Sequence, residues 1–322
     1  MPVSKIYPFN PVFFSRCVDT VAAKSAHNAP RSIFFPLQPA HAAGVFLLAM
    51  HEEEQLLPMP VDVLSIQSQV VYGCVGNNAA APTLRAMGWH TLALPTVLLS
   101  NTPHYPSIWG GGVPQEWFEG WLRALHERHA LHHLRAVLTG YLGQAGKARA
   151  LAGWLPALLQ GHSAPLVCID PVLGDADVGL YVEPELAREY AALLPLADVL
   201  TPNRYELGLL TGAQPATPQQ TEDAARRLLQ GRTRALVVTS AGFDAPDAPE
   251  IHMLVVTPGE VRWLAHQRIA ATPKGTGDMF SAALLGHMLR DADVFEAAAA
   301  AGQDVVRALE RTAALRSREL VL

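Results

Sequence analysis

The chain has 322 residues, half of them hydrophobic and only 16% charged, which supplies ample core material and excludes a disordered or fibrous protein. Twenty-four basic against 29 acidic residues leave a net charge of −5 with no basic stripe, so nothing marks a nucleic-acid partner. Cys17, Cys74 and Cys168 are too few and too scattered for a disulfide framework or a thiolate metal site, and no apolar run reaches the ~18 residues of a membrane span; the expectation is a cytoplasmic protein with reduced thiols and no membrane partner.

Residues 1–58 carry no helical or strand period, and Pro2, Pro8, Pro11, Pro30, Pro36 and Pro39 interrupt every possible helix. An export signal is missing its basic start and single apolar run, while the scarcity of acids before Glu52 leaves a weak transit-peptide reading. The expectation is a poorly ordered N-terminal extension, either an appended tail or translated upstream sequence. Met59 then reads as the natural opening of a single domain over 59–322.

From residue 61 the pattern alternates strand and helix. Residues 61–66 form an apolar, β-branched run of the kind that makes a buried parallel strand, and 77–87 are helical in pattern. The buried-strand signal returns at 135–139 and Leu166–Ile169, with a helical stretch at 144–159 between them. A strand ends at Thr201 and Pro202 breaks it. Asn203 caps a helix over 204–210 that Gly212 stops, and Thr217 caps another ending near Gln230. A strand at 235–239 precedes an antiparallel pair, 252–257 with Val261–Gln267, around Pro258-Gly259. Two long Ala/Leu-rich helices at 277–289 and 294–315 close the chain. Repeated βα units predict an α/β fold: a mostly parallel sheet with helices on both faces and ligands beyond the carboxyl ends of the strands.

Three features fall at such strand ends. Gly275-Thr276-Gly277-Asp278 opens an apolar helix, where glycines allow close backbone approach and helix-start amides attract anions. Asp278 there reads equally as a first-turn helix stabiliser or as a carboxylate that accepts the proton of an attacking hydroxyl. Asp170 ends a buried strand in Asp170-Pro-Val-Leu-Gly-Asp175, where an unpaired carboxylate is costly and a metal or phosphate role would account for it; Asp175 alone reads as a turn residue. Thr201-Pro-Asn203 with Glu206 fits a capping box as well as a ligand site.

These residues carry a resemblance. Over about 260 residues the chain resembles the pyridoxal kinases of the ribokinase superfamily. The matching segments are Leu64-Ser-Ile-Gln-Ser-Gln-Val-Val-Tyr-Gly-Cys-Val-Gly-Asn77, Ser100-Asn101, Leu138-Thr-Gly-Tyr-Leu-Gly143, Asp170-Pro-Val-Leu-Gly-Asp175, Thr201-Pro-Asn-Arg-Tyr-Glu206 and Gly275-Thr-Gly-Asp278. The resemblance implies a ribokinase-like fold, commonly dimeric, that phosphorylates the 5′-hydroxyl of pyridoxal, with pyridoxine and pyridoxamine as further acceptors. By it, Asp278 is the base, Gly275, Thr276 and Gly277 form the anion hole, and Ser68, Tyr141, Pro103 and His104 line the vitamer pocket. Asp170 and Glu206 serve Mg2+, with K+ as a further cation. Asp170, Asp175, Thr201, Glu206, Thr239, Ser240 and Lys274 serve ATP, Asp175 and Tyr181 in a flap.

The chain departs from the family pattern in the ring pocket, where Leu99, Thr102 and Pro103 replace an aromatic, a His and a Thr, and Gln69 stands where a His is common. Two alternatives share parts of this pattern. A hydroxymethylpyrimidine kinase has the same fold and chemistry but typically a Cys at the position of Asp278. A non-catalytic B6-vitamer binding protein would not need an intact Asp278. Gly146-Lys147 resembles a phosphate loop only superficially, since Ala148 follows it. His126, His129 and His133 are read as one solvated face of a polar helix.

Overall fold

The computed structural model describes residues 59–160, 163–243 and 247–322. The expectation of a poorly ordered extension over 1–58 lies outside the described residues. Within them, a nine-stranded sheet is built from β1 (Val63–Tyr72), β2 (Thr91–Asn101), β3 (Gly110–Gly112), β4 (Ala136–Thr139), β5 (Leu166–Ile169), β8 (Val199–Leu200), β9 (Ala235–Val238), β10 (Glu250–Val256) and β11 (Val261–Gln267). Its order is β11-β10-β9-β8-β5-β4-β1-β2-β3. The six strands from β9 to β2 run parallel, and antiparallel pairing is confined to β3 at one edge and the β10–β11 hairpin at the other. A separate two-stranded ribbon joins β6 (Gly174–Asp175) to β7 (Gly179–Leu180).

Among the described residues eight helices cover the two faces: α1 (Asn77–Ala86), α2 (Gln115–Glu127), α3 (Lys147–Leu158), α4 (Pro184–Leu193), α5 (Arg204–Thr211), α6 (Pro218–Arg227), α7 (Thr276–Met288) and α8 (Val294–Ala314). Strand alternation decides which face each residue serves. Leu64, Ile66, Val137, Val167 and Ile169 point to a core shared with α2 to α6. Val63, Ala136, Leu138 and Cys168 point to a second core shared with α1, α7 and α8. Burial on both faces is what makes these strands read as continuous apolar runs.

Several expectations need correction. β1 runs on to Tyr72 rather than stopping at Ile66, because β2 accompanies it through a register shift between Gln67 and Gln69. β2 itself, β3 and α4 carry no clear sequence signal; Pro95 sits inside β2, opposite Gln67. The histidine face does not form. α2 ends at Glu127, His129 adopts a left-handed φ of 50°, and His133 lies in the following turn. Both described cysteines, Cys74 and Cys168, are free thiols. Among the described residues no helix is long and apolar enough to cross a membrane.

Candidate active site

The carboxyl ends of β1, β4, β5, β8 and β9 converge with the start of α7. Gly275 makes this convergence possible. It adopts φ 95°, and a Cβ there would lie 1.9 Å from the Cys74 carbonyl oxygen, so only glycine lets the α7 turn pack on the loop after β1. Thr276, Gly277 and Asp278 then form the first turn, whose backbone amides have no intrahelical partner. Lys274 is exposed on the turn just before.

Asp278 faces the Gly76 amide, which opens α1 from the other side. Burial pushes its carboxyl up to about 6, and the Gly76 N–H pulls back against that rise. One turn along α7, Ser281 Oγ donates to Asp170 Oδ2 at 3.0 Å and lies 2.9 Å from Thr201 Oγ1. This network answers the cost of a carboxylate at the end of β5. Asp170 is still pushed well above the usual carboxylate range, by burial first and then by Glu206 and Asp278. Gly277 stands beside it: a Cβ on Gly277 would be 4.0 Å from Asp170 Oδ2.

Glu206 is a capping-box residue and more. Its Oε2 accepts from Asn203 N at 2.9 Å, while Oε1 accepts from Leu173 N at 2.9 Å and Gly174 N at 3.3 Å. Burial raises its carboxyl to about 7 against those three amides. Asn203 also donates through Nδ2 to Gly174 O at 2.8 Å and bridges to Thr239, so α5 and the ends of β6 and β9 meet at one residue. Ser240 follows Thr239 with a left-handed φ of 47°. Asp175 ends β6 and Tyr181 follows β7, and burial together with Asp175 pushes the Tyr181 hydroxyl to about 12.

On the other side, Ser68 is buried on β1 directly against Gly76. Tyr141 follows β4, and its carbonyl accepts from Thr96 Oγ1 at 2.6 Å. Pro103 and His104 are exposed on the loop after β2. Thr102 does not present itself there, for it is fully buried and its hydroxyl donates to Glu319 Oε2. Three residues at this site have no counterpart in the sequence reading: Ser281, Tyr190 and Glu319. Ser281 could have been noticed as a polar side chain on an otherwise apolar stretch of helix. Tyr190 is fully buried on α4, its hydroxyl raised by burial and by Asp170. Nothing local distinguishes Glu319.

The family model described as phosphomethylpyrimidine kinase matches residues 73–320. A pyridoxine/pyridoxal/pyridoxamine kinase of Bordetella avium is 49% identical over 266 residues, covering 82% of this chain and 90% of that protein. The chain belongs to the pyridoxal kinases of the ribokinase-like superfamily. A pyridoxal kinase of Deinococcus radiodurans is 36% identical, over 82% of this chain and 91% of the relative. The structure of the pyridoxal kinase from Leishmania donovani in complex with ADP and pyridoxamine superposes with a TM-score of 0.73 at 29% identity, covering 80% of this chain and 92% of that one.

Proposed function

We propose that the protein transfers the γ-phosphoryl group of ATP to the 5′-hydroxyl of a B6 vitamer, forming pyridoxal 5′-phosphate from pyridoxal. The observation that carries this reading is the placement of Asp278. A carboxyl with a pKa of about 6 stands in the first turn of α7, beside free amides at a left-handed glycine. Such a group is ionised at neutral pH and basic enough to take the hydroxyl proton as the oxygen attacks. The amides of Gly275, Thr276 and Gly277 face the developing charge on the phosphoryl oxygens, the pattern by which phosphoryl transfer is mainly accelerated.

The vitamer side consists of Ser68, Tyr141, Pro103 and His104, with Ser68 a hydrogen-bonding partner for the pyridine ring and Tyr141 a wall. The nucleotide side consists of Asp170, Asp175, Thr201, Glu206, Thr239, Ser240 and Lys274, with Asp278 between the two sides. Asp170 and Glu206 fit a hydrated magnesium ion. Among the described residues no three His, Cys, Asp or Glu side chains are grouped to enclose a metal. Mg2+ needs only one or two carboxylates plus substrate phosphates and its own waters. All of Glu206's observed bonds go to backbone amides, which suits a group acting on the ion through water. When bound, magnesium neutralises phosphate charge. K+ would be a further cation at the same acidic end.

The kinase domain is residues 59–322, acting as a homodimer in the cytoplasm without nucleic-acid or membrane partners. The matching family model, described as phosphomethylpyrimidine kinase, favours a pyrimidine as the competing acceptor, and hydroxymethylpyrimidine represents that class in the test. Turnover measured with pyridoxal, pyridoxine, pyridoxamine and hydroxymethylpyrimidine in parallel tests the assignment. Phosphorylation of hydroxymethylpyrimidine alone would overturn it, and vitamer binding without ATP consumption would leave a binding protein.

A further inference from the structure

Glu319 follows α8 in a segment pinned to the body of the fold. Ser317 Oγ accepts from Glu319 N at 3.1 Å, Thr312 Oγ1 accepts from Val321 N at 3.0 Å, and Leu320 packs with Met279 and Ala308. Met279 is the neighbour of Asp278 on α7. The segment is therefore anchored on the helix that carries the candidate base.

From this anchor the Glu319 side chain, only 9% exposed as a residue, reaches two loops at once. Its Oε2 accepts from Cys74 N at 3.2 Å in the loop after β1 and from Thr102 Oγ1 at 3.0 Å in the loop after β2. Its Oε1 lies 3.5 Å from His104 Nε2, and the carboxylate also faces the Tyr105 hydroxyl. Gly73 permits the crowding: with φ 122°, any Cβ would fall 1.9 Å from Thr102 Oγ1 and 2.9 Å from Glu319 Oε2. The first loop continues to Gly76, whose amide faces Asp278; the second carries Pro103 and His104. The Cys74 thiol feels the same crowding, pushed to about 11 by burial and then by Asp278 and Glu319.

We infer that Glu319 is a positioning residue for the vitamer side, a buried carboxylate that fixes the spacing between the two pocket loops and the helix of Asp278. Its contacts are with Cys74, Thr102 and His104 of the two loops, so its role is exerted through them. It adds, from the far end of the chain, to the order that Asn101 and Ser100 give the second loop through Thr102 O, Ser107 O and Trp109 N. The inference rests on the vitamer pocket proposed above.

The test is steady-state kinetics on Glu319→Ala and Glu319→Gln with pyridoxal and ATP varied separately. Two hydrogen bonds to a buried carboxylate are lost in the alanine variant, so KM for pyridoxal should rise roughly tenfold or more, with KM for ATP within about twofold of wild type. Glutamine keeps one oxygen able to accept from both Cys74 N and Thr102 Oγ1, so its KM for pyridoxal should stay within about threefold. An unchanged pyridoxal KM in Glu319→Ala, or an equal rise for both substrates, overturns the inference. Should the alanine variant not fold, Thr102→Val removes one donor at constant shape and must still raise pyridoxal KM alone. Amide exchange of residues 73–76 and 102–105 in the ligand-free protein should accelerate in each weakened variant; unchanged exchange also overturns the clamp. Absence of turnover by the wild type with every vitamer would instead sink the functional assignment, and the clamp would be judged on exchange alone.

Discussion

Ser281 donates to Asp170 across 3.0 Å from one helical turn beyond Asp278, so one face of α7 holds both the candidate base and the support of the buried Asp170 carboxyl. The spacing of three residues puts Asp278 and Ser281 on the same side of the helix. It ties the two halves of the site to a single rigid element.

Removal of that support is expected to be costly. Ser281→Ala leaves Asp170 buried with one donor fewer, and should lower stability by about 1–3 kcal/mol. Chemical denaturation measures the loss. A variant as stable as wild type would mean that Asp170 does not depend on Ser281.

Asp278→Asn, nearly isosteric, should reduce turnover by ~10²–10⁴-fold while pyridoxal and ATP still bind. Steady-state rates beside calorimetric titrations separate the two effects. Turnover within a few-fold of wild type would remove Asp278 as the base.

The pH dependence follows from the same carboxyl. In wild type, kcat/KM should fall as pH drops through about 6, where Asp278 gains its proton, and residual activity of Asp278→Asn should lack this limb. Stability runs the other way. A folded pKa raised from 3.8 to about 6 means that folding favours the protonated carboxyl; this contribution is present below 3.8 and lost as pH rises through 6. Asp278→Asn should therefore melt higher than wild type at pH 8 and converge with it in acid. Parallel melting curves across that range decide the sign.

Glu206→Ala frees the amides of Leu173, Gly174 and Asn203 together. It should lower the melting temperature and raise the apparent KM for ATP, leaving the KM for pyridoxal near its original value. A stability loss with unchanged ATP kinetics would reduce Glu206 to a capping residue.

A chain beginning at Met59 is expected to keep its turnover and stability. A fall in Tm of more than about 5 °C would assign residues 1–58 a part in the fold.

Much of this architecture is legible in the sequence because the central strands are buried on both faces and so read as apolar runs. Asn203 and Gly212 mark α5 by local chemistry alone, and the Pro258-Gly259 turn marks the β10–β11 hairpin. β2 escapes because Pro95 interrupts it, and its place is fixed by pairing with β1 rather than by its own residues. The histidines after α2 mislead because helical spacing says nothing about where the helix stops. In the site, Asp170, Thr201, Glu206 and Asp278 announce themselves by position at strand and helix ends. Glu319 cannot, since its meaning lies in contacts with residues some 217 and 245 positions away.

The base of the ribbon of β6 and β7 is held by side chains of and before α5. Glu206 holds the amides of Leu173 and Gly174, and Asn203 holds the Gly174 carbonyl, whereas nearer the tip Gly179 only packs beside the Tyr205 ring. Under the nucleotide role proposed for this ribbon, a swing over ATP would pivot near Gly174, where the hydrogen bonds from Glu206 and Asn203 end. Release of product governs turnover in many enzymes that cover their ligands. A change at Asn203, remote from the transferred phosphoryl group, would then be felt in the rate at which ADP departs and not in the chemical step.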